Sequence, residues 1–173
     1  MVREHLDFGT DDGFNLFLNE LQGESDRACA VLAGAYLDVL LEELLAASFV
    51  ETFNAKELLE QSAPLGSFSS RIHAAHAMGL ISATSSRDLH LVRRIRNEFA
   101  HHIHGIDFAS PSVRSRCGEF TCVIEKLDEI PTLREEYPQD PRAVFNLAVG
   151  LLSFLLRSKI EAARRPRPTG DPD

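Results

Sequence analysis

The sequence has no excess of positive charge. Its 18 Lys and Arg face 26 Asp and Glu, giving a net charge of −8 and a pI of about 5.3. That balance excludes a broad basic face for duplex DNA and leaves only a local patch for any nucleic-acid contact. Cysteine is scarce. Cys29, Cys117 and Cys122 form no even framework, and Cys117 with Cys122 has no second pair to complete a zinc site. This usage points to a reducing cytoplasm. The longest apolar stretch, 143–156, is interrupted by Asn146, Gly150 and Ser153, too short and too mixed for a bilayer. The first residues, MVREHLDFGTDD, lack the apolar run of a signal peptide. There is no internal repeat, no βαβ alternation and no glycine-rich phosphate loop. The pattern calls for neither a cofactor nor a metal.

What remains is an ordinary globular composition, 44% apolar and 25% charged over 173 residues, enough for one domain with a core. Nearly every segment reads as helix. Residues 12–22 place Phe14, Phe17, Leu18 and Leu21 on one face after Asp11 or Asp12 as cap. Residues 25–50 open at Ser25 and are apolar nearly all round, which suits a helix in the middle of a bundle. Short helices are predicted over 54–61 and 67–78, the second closed by Gly79. A long helix follows over 85–104, led by Ser82 or Thr84 and stopped by Gly105. Pro111 marks the first position of a short helix, and 121–126 is read as a strand or an extended linker. Residues 142–162 form the last apolar helix. The fold class is therefore all-α, a single domain over 1–163 with about six or seven helices, followed by a disordered Pro-rich tail over 164–173.

The stretch "RRIRNEFAHHIHG", 93–105, concentrates the polar chemistry. On a helical wheel Leu89, Val92, Ile95, Phe99 and Ile103 form the core face, and Arg96 falls inside that stripe. A buried arginine needs a carboxylate, and Asp38, Glu42 or Glu43 of the neighbouring core helix are the expected partners. The opposite edge carries His90, Arg93, Arg94, Asn97, His101 and His104, a candidate interface. Between 87 and 116 six arginines stand against three acids, an excess that suits an anion or an acidic partner surface. His73 and His76 have the spacing of a metal pair but no third ligand, so they read as surface or packing residues. Asn146, Gly150, Ser153 and Arg157 form a stripe on the last helix, read as packing within the bundle in preference to a dimer seam.

Four pieces, "DRACAVLAGAYLDVLLEELL" (26–45), "APLGSFSSRIHAAHAMGLIS" (63–82), "DLHLVRRIRNEFAHH" (88–102) and "SPSVRSRC" (110–117), together resemble the bacterial MltR family, named for the mannitol operon repressor. The resemblance covers about residues 26–122. It implies a helical bundle, members that pair as homodimers, and a role in transcriptional regulation. No basic recognition helix is visible, so the regulation is expected to run through contacts with another protein, and direct DNA reading is not expected.

A looser resemblance is to HEPN domains, whose nuclease members carry an R-x4-H motif matched by Arg96 to His101. It implies a toxin-like, metal-independent ribonuclease in which His101 is general acid/base, Arg96 stabilises the phosphorane charge and Asn97 orients them. RNA is a partner only in that case. A third reading is an immunity or antitoxin-like protein whose acidic residues Glu125, Asp128, Glu129, Glu135 and Glu136 block a nuclease.

Overall fold

A computed structural model describes residues 12–49, 57–102, 105–130 and 140–164, with side chains from Phe17 onward. Seven helices run through the described residues, and no strand occurs among them: α1 (Asp12–Gly23), α2 (Asp26–Ser48), α3 (Phe68–Ala77), α4 (Ala83–His101), α5 (Pro111–Cys117), α6 (Thr121–Glu129) and α7 (Pro141–Arg164).

The centre is α2. Ser25 starts it, its hydroxyl accepting from Ala28 N at 3.2 Å. The all-round apolarity then allows α2 to touch α1, α3, α4 and α7 at once. Cys29, Ala30, Ala33, Gly34, Leu37, Leu41, Leu44 and Leu45 are buried by these neighbours. The α2–α7 seam can be followed through three contacts. Cys29 Sγ donates to Asn146 Oδ1 at 3.2 Å, Arg157 Nη1 to Tyr36 OH at 3.4 Å, and Arg164 pairs with Glu43 at 3.1 Å. Residue numbers rise together along both helices, so the two run parallel. The stripe Asn146, Gly150, Ser153, Arg157 therefore faces this seam, with Gly150 and Ser153 buried. By length and composition α7 is apolar enough to cross a membrane; Phe145, Leu152, Leu156 and Ile160 are instead buried in the core.

Three expectations for local structure are corrected. Residues 121–126 are neither strand nor linker but belong to helix α6. Phe120 offers no side-chain cap; the cap comes from Asp88 on α4, whose carboxylate accepts from Thr121 N at 3.1 Å and Cys122 N at 2.8 Å. In the stretch expected as a helix over 54–61, residues 54–56 lie outside the described residues. From Leu58 the chain forms turns, closed by Leu65 N to Leu58 O and Gly66 N to Ala63 O, both 2.9 Å. The Leu59 and Leu65 carbonyls turn to the guanidinium of Arg71 at 2.9 Å each. The helix α7 also continues through Arg164, two residues past its expected end.

Candidate functional site

The motif helix α4 begins at Ser82, which accepts from Ser85 N at 3.1 Å, and ends where His102 N bonds to Glu98 O at 3.1 Å. Gly105, with φ of +76°, redirects the chain just beyond. Leu89, Val92, Ile95 and Phe99 are buried, as the wheel required, and Leu91 is buried beside them; Ile103 and His104 lie outside the described residues. The latch at this helix end is Arg27 of α2, which donates to the last-turn carbonyls of Phe99 and His102. Glu98 ties α4 to α5 through Arg116 and Ser112.

Arg96 is half-buried, and its expected ion pair is corrected. Asp38 and Glu42 are bound instead by Arg71 of α3, at 2.8 and 2.7 Å, and Glu43 by Arg164. Arg96 meets α2 one turn earlier, at Gly34, before α3 takes over as the neighbour. A Cβ on Gly34 would stand 2.8 Å from Arg96 Cγ and 3.1 Å from its Cβ. The arginine stem thus lies directly on the α2 backbone, while Nη1 donates to Asn97 Oδ1 at 2.9 Å. Gly34→Ala is expected to cost about 1–3 kcal/mol through overpacking. In denaturant titrations, Arg96→Ala in that background should recover much of the loss. Two losses that simply add, within about 0.5 kcal/mol, would show that the stem is not the obstacle.

The polar edge of α4 is only partly solvated. Arg94 and His101 are exposed, Asn97 is half-buried, and His90 packs against His73 of α3 with ring centroids 4.7 Å apart. Both ring nitrogens of His90 and Nε of Arg93 are buried with no hydrogen-bond partner among the described residues. Burial, and then the charges of His73, Arg93 and Arg94, hold His90 below the ordinary histidine value of 6.5. The neutral ring is therefore favoured in the folded state. Its contribution to stability is complete above pH 6.5 and is lost as the pH falls through the lower folded value. Melting temperatures measured from pH 7 down to pH 5 should fall, and His90→Leu should flatten that slope. The sequence missed His73 as a member of this group, because nothing local to α4 announces which helix lies beside it.

The chain matches the family model described as mannitol repressor, MtlR, over residues 27–160. It belongs to the mannitol repressor family. The family match extends past the expected 26–122 because α6 and α7 complete the same core. Among solved structures the chain is similar to one in the X-ray structure of the MtlR–HPr complex from Escherichia coli. The identity is 22%, the TM-score 0.66, and the alignment covers 87% of this chain and 99% of that one. That likeness establishes the shared helical fold. No curated protein matches the chain.

In this family member the thiols are poor nucleophiles. Burial pushes Cys29 up to about 11 and Cys117 up to about 12. Cys122 is raised further, by burial first and then by the Asp88 carboxylate. Among the described residues no three His, Cys, Asp or Glu side chains gather as a metal set. The three described members of the acidic series, Glu125, Asp128 and Glu129, are exposed on α6; Glu135 and Glu136 lie outside the described residues.

Proposed function

We propose that this mannitol repressor family member is a non-enzymatic transcriptional regulator that acts through protein–protein contact, with a protein of the HPr type as its partner. The observation that carries the reading is the fold, shared with 99% of a chain solved in a complex with HPr. A second consideration concerns DNA. A recognition helix has to enter a groove about 12 Å wide with its polar face free. The arginine-rich helix α4 is instead packed against α2, α3, α5, α6 and α7. A reducing cytoplasmic setting fits the three free cysteines, and a homodimer is part of the same reading.

Calorimetry with purified HPr tests the partner, run beside gel-shift assays on mannitol-operon DNA at low and moderate salt. Saturable HPr binding without sequence-specific retardation is expected. Sequence-specific, salt-sensitive operator binding by the pure protein, with no HPr binding, overturns the reading.

The ribonuclease alternative has one favourable observation, the Arg96–Asn97 hydrogen bond beside an exposed His101. Against it, the stem of Arg96 is laid on Gly34. Metal-free RNA cleavage that disappears in a stably folded His101→Ala would replace the regulatory reading with this one.

A further inference from the structure

We propose that His73, His90, Arg93 and Arg94 form a binding site for an oxyanion, a phosphate or carboxylate group, on the α3–α4 face. The inference does not depend on which protein the regulator meets.

Three observations converge on it. The first is unmet hydrogen bonding. A neutral imidazole has one N–H donor and one acceptor nitrogen, and a protonated one has two donors. In His90 both nitrogens are buried and neither has a partner among the described residues, and Arg93 Nε is in the same condition. Leaving buried polar atoms unmet is unfavourable, and a rotation of the exposed His73 ring off His90 would open the donors among them to a group of acceptor oxygens.

The second is uncompensated charge. The acids and several cations of the same stretch are already committed. Asp88 caps α6, Glu98 is held by Arg116, and Arg87 pairs with Glu119 at 3.4 Å. Arg93 and Arg94 take part in none of the ion pairs among the described residues. Burial first, and then the charges of His73, Arg93 and Arg94, disfavour the protonation of His90. An anion placed there offsets the charge contributions.

The third is convergence from two elements. His73 comes from α3 and the other three from a single turn of α4, at positions 90, 93 and 94. The 4.7 Å ring contact fixes the two helices' contributions side by side. A guanidinium group and paired imidazoles carried on two adjacent helices supply the donors that tetrahedral or planar oxyanions take.

The test follows the histidine ring resonances of the isotope-labelled full chain by NMR. Inorganic phosphate is titrated at constant ionic strength, with chloride as the control. His73 and His90 should shift saturably while His101 does not, with a dissociation constant of about 1 mM or tighter. Arg93→Gln should weaken this about tenfold or more, equivalent to about 1.4 kcal/mol, with the melting temperature recorded alongside. Arg94→Gln, at an exposed position, supplies a second variant should the first perturb folding. A serine-phosphorylated peptide titrated in parallel separates the two sources. Tighter binding of the peptide assigns the group to a protein, and equal or weaker binding assigns it to a free anion. Absence of saturable shifts with both probes, or shifts that chloride reproduces, overturns the site. HPr binding is read separately, so failure here leaves the regulatory reading intact.

Discussion

Arg71→Ala is expected to destabilise the protein by about 3–5 kcal/mol, the range for breaking a buried ion pair from one side. Its side chain is 8% exposed and uses three nitrogens at once. Nη1 reaches Asp38 at 2.8 Å, Nη2 reaches Glu42 at 2.7 Å and Leu59 O at 2.9 Å, and Nε reaches Leu65 O at 2.9 Å. Truncation leaves Asp38 without its cation and two carbonyls without a donor. Glu42 is nearly half exposed, and water compensates most of its loss. Arg71→Lys should recover only a fraction, because one ammonium lacks the planar fork that serves four acceptors. The turns of 57–66 should loosen first, since their carbonyls hang on this group. Denaturant titration with limited proteolysis of that segment checks both statements. A loss under about 1 kcal/mol would mean that the network is dispensable.

Asp88→Ala should rank next, at about 3 kcal/mol, combining a lost helix cap with two partly buried amides left without acceptors. Asp88 is 0% exposed. It is the reason α6 starts where it does, because Phe120 cannot cap it. Asp88→Asn retains one acceptor oxygen and should cost about half as much. Hydrogen exchange at the Thr121 and Cys122 amides gives the specific readout. Protection there should collapse in the alanine variant while the amides of α2 keep theirs. Unchanged protection at these two amides would remove the carboxylate from the account of α6.

These two residues also mark the limit of what a sequence discloses. Features set within one turn were legible. Ser25 caps α2 through its own third neighbour, Pro111 opens α5, Gly79 takes a positive φ just past the end of α3, and the inner face of α4 follows its period, although α4 ends at His101, before Gly105. The family was legible as well, because its motifs are contiguous. Features set between helices were not. Arg71 and Arg96 both stand among apolar neighbours, and a wheel of either helix shows equal need for a carboxylate. Which of them meets Asp38 depends on where α3 and α4 cross α2. The helical state of 121–126 depends on a cap supplied 33 residues upstream. His73 joins His90 for the same non-local reason. Of the candidate site, His90, Arg93 and Arg94 could be read from helical spacing, while the partner from α3 could not.

The parallel seam between α2 and α7 has a consequence for synthesis on the ribosome. Parallel helices cannot be joined by a short turn, and roughly ninety residues separate the end of α2 from the start of α7. At a translation rate of about 5–20 residues per second, α2 waits roughly five to twenty seconds for the helix that closes over Cys29, Tyr36 and Leu40. During that interval a long apolar helix has one flank uncovered. The nascent protein is therefore most exposed to aggregation just before its last helix emerges, and holding chaperones or slower expression should raise soluble yield most in that window.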